Sequence, residues 1–436
     1  MGPSIVVVVA LVATAPLSAQ SLDSAFERAS QLPRLRSLII AQDGRILGER
    51  YYHGASRSRT ANVKSVSKSV ISALVGIATA EGRLKGVQQT IADFFPAELR
   101  DSAHADKRRI TIGDLLSMRA GLESTSFDGY GPWVTSANWV RAALARPIVA
   151  DRGGPMIYST GNTHLLSAIL TKATGMSTLA YARRKLGAPL GIEIPAWPRD
   201  PQGIYFGGND MRLTPRAMLA IGELYRNRGR VGRRQIVPDW WVDASFLVRA
   251  YSPFNGHGYG WGWWSREAGD YRVHFAWGYG GQFIFIVPAI RATVVMTSDA
   301  EARREWGHVD ALHELLDRYV IPALKKDASV AQLCPARERG TLAPLHRSTN
   351  GVPSDPNLRR FIVAYRNEVA LDPAALTREL ASRYGFTPYA EFVAALHGFS
   401  AELPEWVISE LRAHPCVASI GQNTKGYLAE PQLNRP

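Results

Sequence analysis

Cysteine is almost absent from this chain. Its 436 residues include two, Cys334 and Cys416. That excludes a disulfide framework, and the distance between the two along the chain leaves open whether they meet. Metal-binding patterns are missing too. There is no Cys-x-x-Cys or His-Glu-x-x-His, and His308 and His313 stand five residues apart, which matches no common ligand spacing. Neither a metal nor a cofactor is expected. Long apolar runs are equally scarce. Ile5 to Ala15 is the early exception, and it is too short to span a bilayer. Followed by Pro16-Leu17-Ser18-Ala19, it reads as a signal peptide over residues 1–19, although no basic residue precedes it. A buried N-terminal strand is the other reading. With no integral membrane segment after it, a mature protein that is secreted or periplasmic is expected.

Acidic residues are in deficit. Against 51 Lys and Arg stand 38 Asp and Glu, for a net charge of +13. The excess is scattered (Arg141, Arg183, Arg226, Arg303) and forms no run. It therefore reads as a solvated basic surface, not a nucleic-acid site. The overall balance, 46% hydrophobic and 20% charged, is that of a globular protein long enough for two or three domains.

What is present begins with Lys64-Ser65-Val66-Ser67-Lys68-Ser69, at the mouth of the apolar run Val70 to Ala80. Val70, Ile71, Leu74, Val75, Ile77 and Ala78 surround most of a helix, which should be buried on nearly all sides and end at Gly82. A lysine at its entrance is unusual. Residues three apart share a helical face, roughly 5–6 Å between Cβ atoms, so Lys68 can reach Ser65. A desolvated amine can take the proton that keeps a serine hydroxyl from being a nucleophile.

The remaining pattern predicts an α+β architecture. Ser21 to Leu32 is a short helical lead. Leu38 to Tyr51 is a hairpin turning at Asp43-Gly44. Helices are expected over Ile110 to Ala120 (capped by Thr111 or Asp114), Asn138 to Ala145, Leu165 to Thr174, Ser177 to Leu186, and Pro215 to Tyr225. Phe127 to Trp133 reads as an aromatic, glycine-rich loop, either a lid or an anchored surface segment. Strands follow over Tyr259 to Trp264, Tyr271 to Trp277, Phe283 to Val287 and Ala292 to Thr297, with a last helix over Val309 to Leu324. Early and late strands would join in one antiparallel sheet flanked by helices, with an all-helical lobe beside it. Residues 20–327 form this unit. A Pro- and Gly-marked linker covers 328–356. Residues 357–425 read βαββαβ, a small open-faced sandwich, and 426–436 are a polar tail.

A Ser/Lys site also needs a proton relay, oxyanion donors and a substrate wall. Ser65 near a helix start can offer its own amide. Tyr158 precedes a helix and can project into a cleft; held between two cations, its phenol would have a lowered pKa. Alone it reads equally as a half-buried tyrosine, and Tyr225-Arg226-Asn227 shows how cheaply Tyr-x-Asn occurs. Trp277-Gly278-Tyr279-Gly280-Gly281-Gln282 lies between two strands. Its glycines mean close approach of a backbone or ligand, or simply a turn. Trp261, Trp263, Trp264 and Trp277 read as sheet-face packing rather than a binding cage.

Taken together these segments resemble the serine hydrolases of the class C β-lactamase and penicillin-binding type, in the subgroup of 6-aminohexanoate-dimer hydrolase and related esterases. Ser65-Val66-Ser67-Lys68, Ile112 to Leu122, Tyr158 to Asn162, Gly208 to Pro215 and Gly278 to Gln282 carry the resemblance, which spans about residues 35 to 325. It implies an acyl-enzyme on Ser65, with Lys68 as base and Tyr158 passing a proton to the leaving group and activating the deacylating water. The oxyanion hole would be the amides of Ser65 and Gln282, with an offset to Gly281 as the alternative. Asn162, Tyr279, Gly280 and Gly281 would face the substrate. Two departures matter. Thr160 replaces the Asn of Tyr-x-Asn, with Asn162 able to reach the same space. No Lys-Thr-Gly exists, which removes the cation facing a β-lactam carboxylate. The expectation is therefore an exported hydrolase of an ester or linear amide, acting on a small molecule or short peptide. A D-amino-acid peptidase, or a silent peptide- or β-lactam-binding protein, is the alternative.

Residues 357–425 resemble the propeptide-inhibitor domains of subtilisin-like proteases, through Arg360 to Tyr365, Arg383 to Phe386, Leu396 to Ala401 and Leu411 to Val417. That implies a subtilisin-like protease as a partner, or a module kept for docking or folding.

Overall fold

The structure is a computed structural model. It describes residues 22–101, 105–302, 307–324, 359–365, 373–384, 386–392, 398–412, 414 and 417–422. The expected leader, the linker, both cysteines, the Leu396-His397 turn and the tail lie outside these residues.

Eight strands form one antiparallel sheet. In spatial order they are Arg45–Tyr51, Leu35–Gln42, Ala292–Ser298, Gln282–Val287, Tyr271–Gly278, Trp264–Ala268, Gly258–Tyr259 and Ala250–Tyr251. The early hairpin and late meander do join, with Leu38 opposite Met296 and Ile40 opposite Val294. Asp43 and Gly44 take φ +53° and +79° at the hairpin turn, the backbone that Asp-Gly favours.

The central strands Gln282–Val287 and Ala292–Ser298 are buried at every position because both faces of the sheet are covered. Ile39, Ala41, Ile284, Ile286 and Val295 turn one way, into the core shared with the helices Ser67–Ala80, Thr160–Thr174 and Pro215–Arg226. Leu38, Ile40, Phe283, Phe285 and Val294 turn the other way, under the Leu22–Ser30 helix and the helical stretch from His308 to Leu324. Each such fully buried Leu, Ile, Val or Phe stabilises the fold by roughly 1.5–3 kcal/mol. Gly222 lets its helix lie flat on the sheet, since a Cβ there would sit 2.6 Å from Ile284 and Thr293.

Several elements differ from expectation. The expected helix over Ile110 to Ala120 is only Ile112–Leu116, with Thr111 and Asp114 together forming a capping box. Met118, at φ +60°, ends the segment. Phe127 to Trp133 is not a loop: a 3-10 turn, Phe127–Gly129, runs into the helix Tyr130–Val134. Trp133 anchors it, with its indole N–H donating to the Trp139 carbonyl at 2.9 Å. The helix expected from Leu165 begins at Thr160. The expected strand Tyr259 to Trp264 breaks in two because Gly262, at φ +79°, packs on the Ser67–Ala80 helix. A Cβ on Gly262 would lie 2.9 Å from the Lys68 carbonyl oxygen.

Residues 359–422 form a separate four-stranded antiparallel sheet, in the order Pro388–Phe392, Gly398–Leu403, Arg359–Tyr365 and Val417–Gln422. Helices Pro373–Tyr384 and Glu405–Arg412 complete the βαββαβ order. Phe361, Val363 and Tyr365 alternate into its core with Leu380, Phe399 and Leu411.

Candidate active site

Ser65 occupies a 3-10 turn, Lys64–Val66, immediately ahead of the Ser67–Ala80 helix. The turn is strained and tied down. Lys64 has φ +48°, its backbone N–H donates to Asn62 Oδ1 at 3.0 Å, and Ser67 Oγ donates to its carbonyl at 2.6 Å. The helix then carries Lys68 onto the same face, with Nζ 2.9 Å from Ser65 Oγ. The other two partners of Nζ are Gly208 O at 2.6 Å and Thr160 Oγ1 at 3.3 Å.

All three partners are uncharged, and Lys68 is 2% exposed. Burial therefore pulls the amine down to about 7, against the opposing pull of Asp210. At neutral pH a large fraction of Lys68 is a free base lying against a serine hydroxyl.

Tyr158 faces the same pair. Lys68 Nζ lies 5.0 Å from its ring centroid, Trp264 stacks on it at 5.8 Å, and Tyr259 meets it edge-on at 6.3 Å. The expected lowering of its pKa does not occur. Burial pushes the phenol up to about 12, and a hydrogen bond with Ser65 only partly opposes the rise. The reason is the missing Lys-Thr-Gly together with the lowered Lys68: the one amine against the ring is largely uncharged at neutral pH, no second cation faces it, and aromatic neighbours exclude water. Tyr158 stays a protonated phenol throughout the neutral range.

The glycine-rich segment forms the opposite wall by close backbone approach. A Cβ on Gly278 would lie 2.1 Å from the Val63 carbonyl oxygen, two residues before Ser65. Gly278 to Gly281 is a turn, with Gly281 N donating to Gly278 O at 3.3 Å and Gly280 at φ +79°, as a type II turn requires. Tyr279 at its tip is 54% exposed. The Gln282 side chain does not face solvent: it bonds the backbone of Ser298 twice, through Nε2 at 2.7 Å and Oε1 at 3.2 Å. That clamp holds the start of the strand whose amide the sequence reading assigns to the oxyanion.

Asn162 does not take the expected place. It is 3% exposed and its amide lies 3.9 Å from the Met118 sulfur. Thr160 touches Lys68 instead, with Ser126 Oγ 2.8 Å from its hydroxyl. Sequence reasoning also left Gly208, Asp210 and Lys64 without roles. Gly208 supplies the carbonyl on Lys68, and Asp210 Oδ1 accepts from Lys64 Nζ at 3.3 Å and Asn62 Nδ2 at 2.9 Å. The Gly207-Gly208 pair was the available signal. A Cβ on Gly207 would lie 2.1 Å from Thr163 O, and one on Gly208 2.8 Å from Thr160 O. Among the described residues no His, Cys, Asp and Glu group could hold a metal ion, and no helix is long and apolar enough to cross a membrane.

The beta-lactamase family model matches residues 34–316. No curated protein matches the chain. Solved structures share the fold. EstCE1, described as a hydrolase with promiscuous acyltransferase activity, is 18% identical with a TM-score of 0.57, covering 70% of this chain and 97% of its own. A D-stereospecific amidohydrolase from Streptomyces sp. is 16% identical with a TM-score of 0.54, covering 67% and 98%. A Bacillus anthracis protein provisionally named a 6-aminohexanoate-dimer hydrolase is 18% identical with a TM-score of 0.55, covering 70% and 81%.

Proposed function

Because the chain belongs to the beta-lactamase family of serine hydrolases, we propose that it cleaves an ester or linear amide bond through an acyl-enzyme on Ser65. The observation that carries this reading is the buried Lys68 amine, 2.9 Å from Ser65 Oγ and lowered to about 7. Lys68 accepts the Ser65 proton as Oγ bonds to the substrate carbonyl carbon. The backbone amides of Ser65 and Gln282 receive the developing oxyanion. As the tetrahedral intermediate collapses, Tyr158 gives its proton to the departing alcohol or amine and regains one from the Lys68 ammonium. Deacylation departs from the expectation that Tyr158 activates the water, because a phenol held protonated is no base. The water's proton passes to Lys68 as its oxygen bonds to the acyl carbon, and Tyr158 protonates Ser65 Oγ as it leaves, regaining a proton from the Lys68 ammonium.

The absence of a lysine at Tyr279-Gly280-Gly281 supports substrates other than β-lactams. Kinship of fold with a hydrolase of promiscuous acyltransferase activity and with a D-stereospecific amidohydrolase supports acyl transfer from an ester or a linear amide. A fluorophosphonate probe should label the native protein at Ser65, and Ser65→Ala should lose both labelling and ester turnover. Labelling that persists in Ser65→Ala, read by peptide mass spectrometry, would refute the assignment.

For residues 357–425 we propose binding to a subtilisin-like protease, supported by the βαββαβ order of the described elements. The full-length protein at micromolar concentration should slow such a protease on a small chromogenic peptide. Undiminished protease activity would remove this reading.

A further inference from the structure

Two aromatic rings at the mouth of the site have no part in the mechanism above. Phe127 is 62% exposed and Phe254 64% exposed, although side chains of this kind are usually buried. Their centroids lie 5.0 Å apart, and Phe127 is 6.2 Å from the ring of Tyr158. They arrive from opposite sides. Phe127 opens the turn before the Tyr130–Val134 helix, and Phe254 lies in the connection between strands Ala250–Tyr251 and Gly258–Tyr259.

Both rings are firmly mounted. Phe127 holds φ +52°, a backbone conformation that is an outlier for a bulky residue. Such strain persists only where the surroundings over-determine it, and it concentrates at functional sites. The surroundings here are specific. Ser124 Oγ donates to Tyr158 O at 2.7 Å, Thr125 N to Ser159 Oγ at 3.1 Å, and Thr160 N to Ser126 Oγ at 2.9 Å. The three residues before Phe127 are thereby stitched to the three that begin at Tyr158. Across the gap, Phe254 N donates to Ser252 Oγ at 3.2 Å, and Gly256 N to Ser252 O at 3.0 Å, closing its turn.

We propose that Phe127 and Phe254 clamp the leaving group, making the enzyme selective for esters and amides whose alcohol or amine part is aromatic or arylalkyl. This rests on the reading of Tyr158 as proton donor to the leaving group, because that assignment places the departing oxygen or nitrogen on the Tyr158 side. A phenyl ring covering the two exposed rings removes apolar surface from water and gains ring–ring contact. A methyl group does neither. Pre-formed mounting means that little ordering opposes this binding.

The test compares methyl and benzyl esters of one carboxylic acid. Methanol and benzyl alcohol are similar leaving groups, so their difference reports binding. The native enzyme should favour the benzyl ester in kcat/KM by tenfold or more, and Phe254→Ala should cut that ratio by about tenfold. Phe127→Gly should cut it equally while unfolding at the same or higher temperature, since glycine accepts the strained backbone. A native ratio near one, or a ratio unchanged in both variants, overturns the clamp. Fluorophosphonate titration of Ser65 in each protein separates the failures. A chain that neither labels nor turns over either ester refutes the acyl-enzyme reading and the clamp with it; a labelled enzyme without benzyl preference refutes the clamp alone.

Discussion

Ester hydrolysis by the native enzyme should rise with pH along one ionisation centred near 7, and Lys68→Met should abolish that limb together with about 10²–10⁴ of the rate. The sign follows from which form of Lys68 works. Only the neutral amine can accept the Ser65 proton, so activity is lost as pH falls below the depressed value and levels off above it. Tyr158 adds no limb in this range, because its phenol is held near 12. The same shift acts on stability. Lys68 ionises near 7 when folded but near 10.5 in its ordinary state, so between these values the unfolded chain binds the extra proton and stability rises with pH. Below 7 the folded protein must carry a buried ammonium, a penalty of roughly 3–5 kcal/mol at 1.36 kcal/mol per pKa unit. Lys68→Met removes the penalty but leaves the Gly208 carbonyl without its donor, which costs about 1–3 kcal/mol at any pH. The robust expectation is therefore differential. The Tm of Lys68→Met minus that of the native enzyme should grow as pH falls from about 9 to 6. A difference independent of pH would mean that Lys68 is charged in the folded state and is not the base.

How much of this was legible in the sequence depended on the range of the signal. Strands such as Phe283 to Val287 were readable because apolar residues ran unbroken between turn signals, and the first hairpin because Asp43-Gly44 dictates its own turn. The Ser65 and Lys68 pairing followed from local helical geometry. Asn162 misled for a related reason. Had residues 158 to 162 been irregular, its side chain could have swung toward Lys68. Once Thr160 opens a helix, positions 160 and 162 point about 200° apart, and only Thr160 faces the amine. Polar residues gave that first turn no apolar periodicity, and its anchors, Thr125 and Ser126, are distant in sequence. The Tyr158 phenol was misjudged because its pKa depends on how many cations and how much water surround it. Neither count is written in the residues beside it.

Gly278 is where a one-carbon change should do most damage outside the catalytic groups. The Cβ of Gly278→Ala would stand 2.1 Å from the Val63 carbonyl oxygen and 3.1 Å from its carbon. No flexible side chain can yield there. Val63 is held from both sides, its N–H donating to Met211 O at 2.9 Å and its carbonyl accepting from Val66 N at 3.1 Å. The strand Tyr271–Gly278 or the Ser65 turn must therefore move. Either shift separates the Ser65 amide from the Gln282 amide, which pairs across the hairpin at Gly278. Loss of one oxyanion donor costs about 10²–10³ in kcat, so Gly278→Ala should fall by about 10²-fold or more, with a lower Tm from the displaced backbone. Gly131→Ala is the matched control. Apart from its chain neighbours nothing lies within 4 Å of its added methyl, and it sits in the exposed first turn of the Tyr130–Val134 helix, ahead of Pro132, whose ring offsets the usual helical gain of alanine over glycine. It should keep native kcat and unfold close to the native temperature. If Gly278→Ala also retains native kcat while folding normally, the wall formed by Gly278 to Gln282 has no part in holding the oxyanion.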